Sequence, residues 1–334
     1  MYADDDARAR PSNNEDAPVT DSIAERNRAG GPASMLALDE AVGHLIRRAQ
    51  QRHTALWTSE FNGDLTGPQY AVISAIAGQS GLDQRAVGER ASLDKSTTAD
   101  IVARLESQGW LRFARDPADG RRKTLTLTPL ARAALVEVTR RAGLVQERVL
   151  QPLPLSRTDA FLDALRLVGY AGNVPAPSDT PTSVLTLRDT PGHLIRRAQQ
   201  VHTLAWSAEV GQVLTAPQYA VLSALWAHPD GIDQGTGGEL ASLDKSSMAD
   251  VVRRLAARGW IARTEDPHDA RRRRLSLTDV VRNDLLRLTS SVRRVQERVL
   301  APLTTSAQRE VFTTGCRALA YPDGETEVAV HRPG

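Results

Sequence analysis

One block of sequence is written twice in this chain, and that constrains its fold more than anything else in it. GHLIRRAQQ runs from Gly43 to Gln51 and returns from Gly192 to Gln200. Downstream, LTGPQYAV from Leu65 is answered by LTAPQYAV from Leu214, ASLDKS from Ala91 by ASLDKS from Ala241, and VQERVL from Val145 by VQERVL from Val295. Roughly half of the aligned positions are identical, more than amphipathic helices share by chance, so the chain is a tandem duplication. Its 334 residues allow each copy a core of its own without disulfides or metals. Outside the copies lie a tail over 1–34 and a Pro/Ser/Thr-rich linker over 171–190. Expected units are therefore 35–170 and 191–321, followed by a tail over 322–334. A linker of this length spans up to roughly 70 Å, which lets the two units pack side by side.

Within one copy the periods are readable. Apolar residues at three-to-four spacing (Val42, Leu45, Ile46, Ala49, Leu56) predict a long helix over Leu38–Phe61. Thr66 is placed as the N-cap of a second helix with Pro68 in its first turn. A short helix around Arg85–Ser92 follows, and Asp94 caps a further helix that stops at Gly109. Two strand-like runs, Trp110–Arg115 and Thr124–Thr128, flank DPADGRRK. Helices over Pro129–Leu150 and Arg157–Tyr170 close the unit.

A short helix, a turn, a capped helix and then a β-hairpin make a winged helix-turn-helix. A helix of that kind fits the major groove and offers its N-terminal residues to base edges. Those residues are Lys95, Ser96, Thr97 and Thr98 in the first copy and Lys245, Ser246, Ser247 and Met248 in the second. A KSTT run by itself does no more than cap a helix. The hairpin decides for DNA, because DPADGRRK and DPHDARRRR set Arg121, Arg122 and Lys123, and Arg271, Arg272 and Arg273, at or just past an exposed turn. There they would meet phosphates or the minor groove, whose negative potential draws arginine. The net charge is only +2, so affinity for an anionic partner must come from such local clustering.

The runs DKSTTADIVARLESQGWLRFARDPADGRRKTLTLT and DKSSMADVVRRLAARGWIARTEDPHDARRRRLSLT, with the long helices beside them, resemble the MarR family of bacterial transcriptional regulators over almost the whole chain. The resemblance implies a mainly α fold with small β-wings and paired winged-helix lobes, and a repressor released from a double-stranded DNA operator by a small ligand. It also implies that Arg121 and Arg271, each two residues after an aspartate (Asp119, Asp269), are the wing arginines that enter the minor groove. Members of that family are single-unit chains that dimerise through their terminal helices. Two fused units therefore imply an intramolecular pseudo-dimer reading an imperfect palindrome, with further association of whole chains left open.

The first helix of each copy is polar for an interface element. His44, Arg48 and Gln51 share one face, and Trp57 lies on another with His53. Their counterparts are His193, Arg197, Gln200, Trp206 and His202. Read blandly, they are a solvated stripe beside a core tryptophan. Read functionally, Arg48 and Arg197 pair with a carboxylate, His44, Gln51, His193 and Gln200 bond a hydroxyl, and Trp57 with Tyr70, and Trp206 with Tyr219, sandwich a ring. Arg47 and Arg196 are alternatives for the carboxylate. GHLIRRAQQ and LTGPQYAV are also similar to regulators of aromatic-acid catabolism, which implies an aromatic acid or phenolic effector.

No catalytic motif, metal-ligand set or cofactor fingerprint is present; GTGG from Gly235 sits in the turn-helix region. We therefore expect no enzyme, no cofactor and no metal. The competing reading is a ligand-independent architectural or partner-binding winged helix. The single cysteine, Cys316, excludes an internal disulfide and reads as a resting thiol. No long apolar run and no targeting segment is visible, so a cytoplasmic, nucleoid-associated protein without membrane contact is expected.

Overall fold

Most of the helices in this protein begin where a side chain supplies the N-cap. The computed structural model describes residues 35–115, 119–177, 183–265 and 273–322. The 1–34 tail, part of the linker, Asp269, Arg271, Arg272 and the tail from 323 onward lie outside the described residues. Helix α1 spans Val42–Phe61, four residues shorter at its start than its periodicity suggests, because 38–40 form a turn. Helix α2 (Gly67–Gly78) begins at a reciprocal capping box between Thr66 and Gln69. Helix α3 (Gln84–Ala91) is capped by Asp83, and α4 (Lys95–Ser107) by Asp94. Gly109, at φ 74°, ends α4 in the left-handed conformation that glycine adopts freely. Strands β1 (Leu111–Arg115) and β2 (Lys123–Leu127) form the wing, in register from Leu111↔Leu127 to Arg115↔Lys123. Helices α5 (Pro129–Leu150) and α6 (Leu155–Gly169) complete the first copy.

A 3-10 turn over Leu187–Asp189 leads into the second copy: α7 (Pro191–Glu209), α8 (Ala216–Ala227), β3 (Ile232–Asp233), α9 (Gln234–Ala241), α10 (Lys245–Ala257), β4 (Ile261–Glu265), β5 (Arg273–Leu277), α11 (Asp279–Leu300) and α12 (Ser306–Ala320). Its wing is a three-stranded sheet ordered β3-β5-β4. In the first copy one hydrogen bond, Leu125 N to Leu82 O at 2.8 Å, stands where β3 pairs with β5.

Three cores hold the molecule together. One fills the first winged-helix lobe, from Trp57 on α1 to Val145 on α5, and one fills the second. The third belongs to both copies: Leu45, Ile46 and Ala49 of α1 and Leu194, Ile195 and Ala198 of α7 pack with Phe161 of α6 and Phe312 of α12. The Phe161 and Phe312 rings stack at 6.3 Å. Cys316 is buried in this shared core, where desolvation pushes its thiol pKa up, away from the reactive thiolate.

The segments leading into α1 and α7 cross over. Met35, Leu36 and Leu38 pack into the second lobe, while Val184, Leu185 and Leu187 pack into the first. Ser223 donates to Leu36 O at 3.1 Å, and Ser74 to Leu185 O at 2.7 Å. Each lobe is closed by an arm that precedes the other copy's long helix. No helix among the described residues is long and apolar enough to cross a membrane.

Candidate nucleic-acid interface and the cavity behind it

At the tip of α4 the Asp94 carboxylate takes hydrogen bonds from Ser96 Oγ (2.6 Å), Thr97 Oγ1 (2.6 Å) and Thr97 N (2.9 Å). Those donors hold its pKa well below the usual carboxylate range. Asp244 is held the same way by Ser246 and Ser247 on α10. Lys95, Ser96, Lys245 and Ser246 stand exposed, and Thr97 and Ser247 are half-buried.

Thr98 and Met248 correct the sequence reading: both are buried and cannot reach a base edge. Thr98 stands with Val102 and Leu105 on the inward face of α4, donates to Asp94 O at 2.7 Å, and packs over Gly88. Met248 likewise packs over Gly237.

On the first wing, Asp119 Oδ1 accepts from Arg121 N at 3.0 Å, tightening the turn and leaving the Arg121 side chain exposed. Arg122 reaches back to Asp83, the cap of α3, at 3.2 Å, so this cation ties wing to helix-turn-helix. Lys123 is exposed at the start of β2, and Arg273 pairs with Glu265 at 3.1 Å.

Behind each recognition helix, side chains of the other copy grip the turn. Arg196 donates to Ser92 O at 2.7 Å and to Ala91 O; Arg197 donates to Ser92 Oγ and, at 2.8 Å, to Gly169 O; Gln200 donates to Ser92 O at 2.8 Å. Ser92 is the left-handed C-cap of α3, two residues before Asp94. The grip is reciprocal: Arg47 donates to Ala241 O and Ser242 O, Arg48 to Ser242 Oγ, and Gln51 to Ser242 O. Arg197 also lies 3.9 Å over the Tyr170 ring and Arg48 4.2 Å over Tyr321. Four cations thus sit at helix C-termini, where the dipole favours them.

A cavity of about 400 Å³ opens between the copies, walled by Trp57, Leu65 and Tyr70 of the first lobe, His193 and Arg196 of α7, and Thr97 and Ile101 of the recognition helix. Trp57 donates to Leu65 O at 2.6 Å and stacks on Phe61 at 4.7 Å, which fixes its ring. Tyr70 Oη accepts from Leu185 N at 3.1 Å. Burial lowers the His53 pKa to about 4 and that of His193 well below its usual value, so both are neutral near pH 7. His193 Nδ1 accepts from Arg196 at 3.0 Å. Its ring proton then belongs on Nε2, a donor without a partner among the described residues. Gln50 Oε1, also on the cavity wall, is an unpartnered acceptor.

Burial, then the neighbouring Arg197, lowers the Arg196 pKa to about 10, which leaves it cationic. No carboxylate among the described residues pairs with it. A second cavity of about 40 Å³ lies at the pseudo-equivalent place, against His44, Arg47, His202, Trp206 and Tyr219.

The site expected from the helix-face pattern is therefore divided. Trp57, Tyr70 and His193 line the larger cavity and His44, Trp206 and Tyr219 the smaller, each wall drawing on both copies. Arg48, Gln51, Arg197 and Gln200 line neither; they hold the helix-turn-helix instead. The cations that face the cavities are Arg196 and Arg47. Gln146, Thr97 and Thr54 also border the larger cavity, and no single-helix pattern points to them, because they come from three different helices.

MarR family models match residues 63–122 and 214–272. The transcriptional regulator HosA of Escherichia coli is 37% identical over 131 residues, covering 39% of this chain and 96% of HosA. The HTH-type transcriptional repressor NicR of Pseudomonas putida is 30% identical over 128 residues, covering 38% of this chain and 81% of NicR. Among solved structures, the PcaV transcriptional regulator from Streptomyces coelicolor, in complex with its natural ligand, is 44% identical, with a TM-score of 0.39 over 41% of this chain and 96% of PcaV.

Proposed function

This chain belongs to the MarR family as a DNA-binding transcriptional regulator with two units in tandem, and from that premise we propose that it is a repressor released from its operator by a small aromatic carboxylate or phenol. The reading rests above all on Arg196. This half-buried guanidinium has no acidic partner among the described residues, borders an apolar cavity walled by Trp57 and Tyr70, and at the same time holds the carbonyls of Ala91 and Ser92 beside the recognition helix. As the one cation on that wall among the described residues, beside neutral histidines, it selects an anion. A ring would lie against Trp57, and the unpartnered His193 Nε2–H and Gln50 Oε1 would bond its polar substituents. An anion that draws Arg196 toward itself loosens its hold on the α3 C-cap, and Thr97 and Ile101 carry the change into α4.

The crossed arms, reciprocal grips and shared core support a chain that is its own dimer, which removes the concentration dependence of assembly. It would read two similar half-sites with Lys95, Ser96, Lys245 and Ser246 in successive major grooves and Arg121 in a minor groove. That NicR is named a repressor supports the direction of regulation. The units are taken as 35–170 and 191–321, and the arginines at 271 and 272 as the second wing's contacts.

The test has two stages: operator fragments are selected with the purified chain, then release is followed by fluorescence anisotropy as benzoates and hydroxybenzoates are added. Release by the acids, weaker release by the matching amides, and loss of release in Arg196→Gln are expected. Release that is blind to the ligand's charge, or intact in Arg196→Gln, overturns the reading. A ligand-independent architectural role would show as tight binding with no release by any acid.

A further inference from the structure

The two copies have diverged where it matters for a ligand. The larger cavity holds about 400 Å³ and the pseudo-equivalent one about 40 Å³. Two substitutions between the copies run in the direction of that difference. Gly67 in the first copy is Ala216 in the second, and a side chain at Gly67 would sit 3.7 Å from His53 Cε1 and 3.8 Å from Trp57 Cδ2, in the mouth between the two rings. By the pseudo-symmetry, the Ala216 methyl occupies that mouth. Ala142 on α5 is Val292 on α11, and Val292 lines the small cavity.

The polar groups differ as well. His193 Nε2 is buried and unpartnered beside the larger cavity, whereas its counterpart, His44 Nε2, lies 3.4 Å from Tyr321 Oη. The donor that a ligand would use is available on one side and engaged on the other. Finally, the larger cavity reaches the recognition helix through Thr97 and Ile101, while no residue of α10 borders the smaller one.

We infer that each chain binds one aromatic anion, in the cavity formed by Trp57 and Tyr70 of the first copy with His193 and Arg196 of the second, and that the pseudo-equivalent site is closed by Ala216 and Val292. This rests on the effector reading of the cavity and adds its stoichiometry. One ligand per fused pair responds hyperbolically, because there is no second equivalent site to couple to it. The ligand acts first on the recognition helix of the first copy.

Calorimetric titration of the full chain with a panel of benzoates, hydroxybenzoates and cinnamates tests this. One site per chain is expected. Gly67→Ala with Ala142→Val, which gives the first copy the residues its twin already carries, should weaken binding at least tenfold. The fold of such a variant is checked by its unfolding midpoint. Ala216→Gly with Val292→Ala should raise the stoichiometry to two. Two equivalent sites in the unaltered chain, or one site that survives the first exchange, overturns the asymmetry while leaving the effector reading in place. A stoichiometry still at one after the second exchange overturns the claim that these two side chains close the site. Silence from every acid in the panel overturns the effector reading itself, and the asymmetry with it.

Discussion

Gly43 and Gly192 are equivalent glycines that should respond unequally to the same change. Each lies in the first turn of its long helix, against a histidine of the other copy. A Cβ on Gly192 would lie 2.5 Å from His53 Cε1 and closer still to Nε2; a Cβ on Gly43 would meet His202 in the same way. In both cases the imidazole must move. His53 borders the 400 Å³ cavity and can turn into it, which costs about 0.5–1.5 kcal/mol for an off-rotamer side chain. Replacing glycine by alanine in a helix returns roughly 0.4–1 kcal/mol, so Gly192→Ala should change stability by less than about 1 kcal/mol. His202 has only 40 Å³ beside it, so Gly43→Ala meets the overpacking cost of about 1–3 kcal/mol. Urea unfolding, read by circular dichroism, separates the two. Gly192→Ala should also lose affinity for aromatic acids, since His53 now fills their space, while Gly43→Ala keeps it. Equal losses of stability, or unchanged affinity in Gly192→Ala, would refute the reasoning.

Acid should destabilise the fold through its buried histidines. Burial lowers His53 and His202 to about 4, and His44 and His193 well below their usual value of 6.5. Above 6.5 both folded and unfolded chains carry them neutral; below it only the unfolded chain takes up these protons, so stability falls by about 1.4 kcal/mol per pH unit per histidine down to the folded pKa. A His53→Gln, His202→Gln double variant should show a shallower fall between pH 6.5 and 4 in denaturant titrations. Thr98→Val, which removes only the bond to Asp94 O, should cost about 1 kcal/mol of stability and leave operator preference unchanged, whereas Lys95→Ala shifts preference among selected operators. Arg121→Ala should weaken binding to all sequences and flatten the logarithmic salt slope by about one, as one cation is lost from the DNA interface.

Much of the fold was legible because it is written in local chemistry. Thr66 with Gln69, Asp94 with its hydroxyls, and Gly109 in its left-handed stop each act within a few residues, and α5 begins at Pro129 and ends at Leu150 as its pattern implies. Thr98, expected at a base edge, is buried instead; its spacing to Val102 and Leu105 marks the inward face, a signal that outranks its polarity. By itself, then, the sequence determined the duplication, the order of the helices and the hairpin in each copy, the caps at Thr66 and Asp94 and the cationic first wing, since all depend on neighbours in the chain. Which arginine of each Arg-Arg pair faces a cavity, which lobe each arm covers, and why one of two pseudo-equivalent cavities is the more open depend on contacts between residues about a hundred or more positions apart, such as Arg196 with Ser92 and Leu36 with Ser223. Only the packed tertiary structure decides those, because a methyl at Ala216 or Val292 matters solely through what stands opposite it.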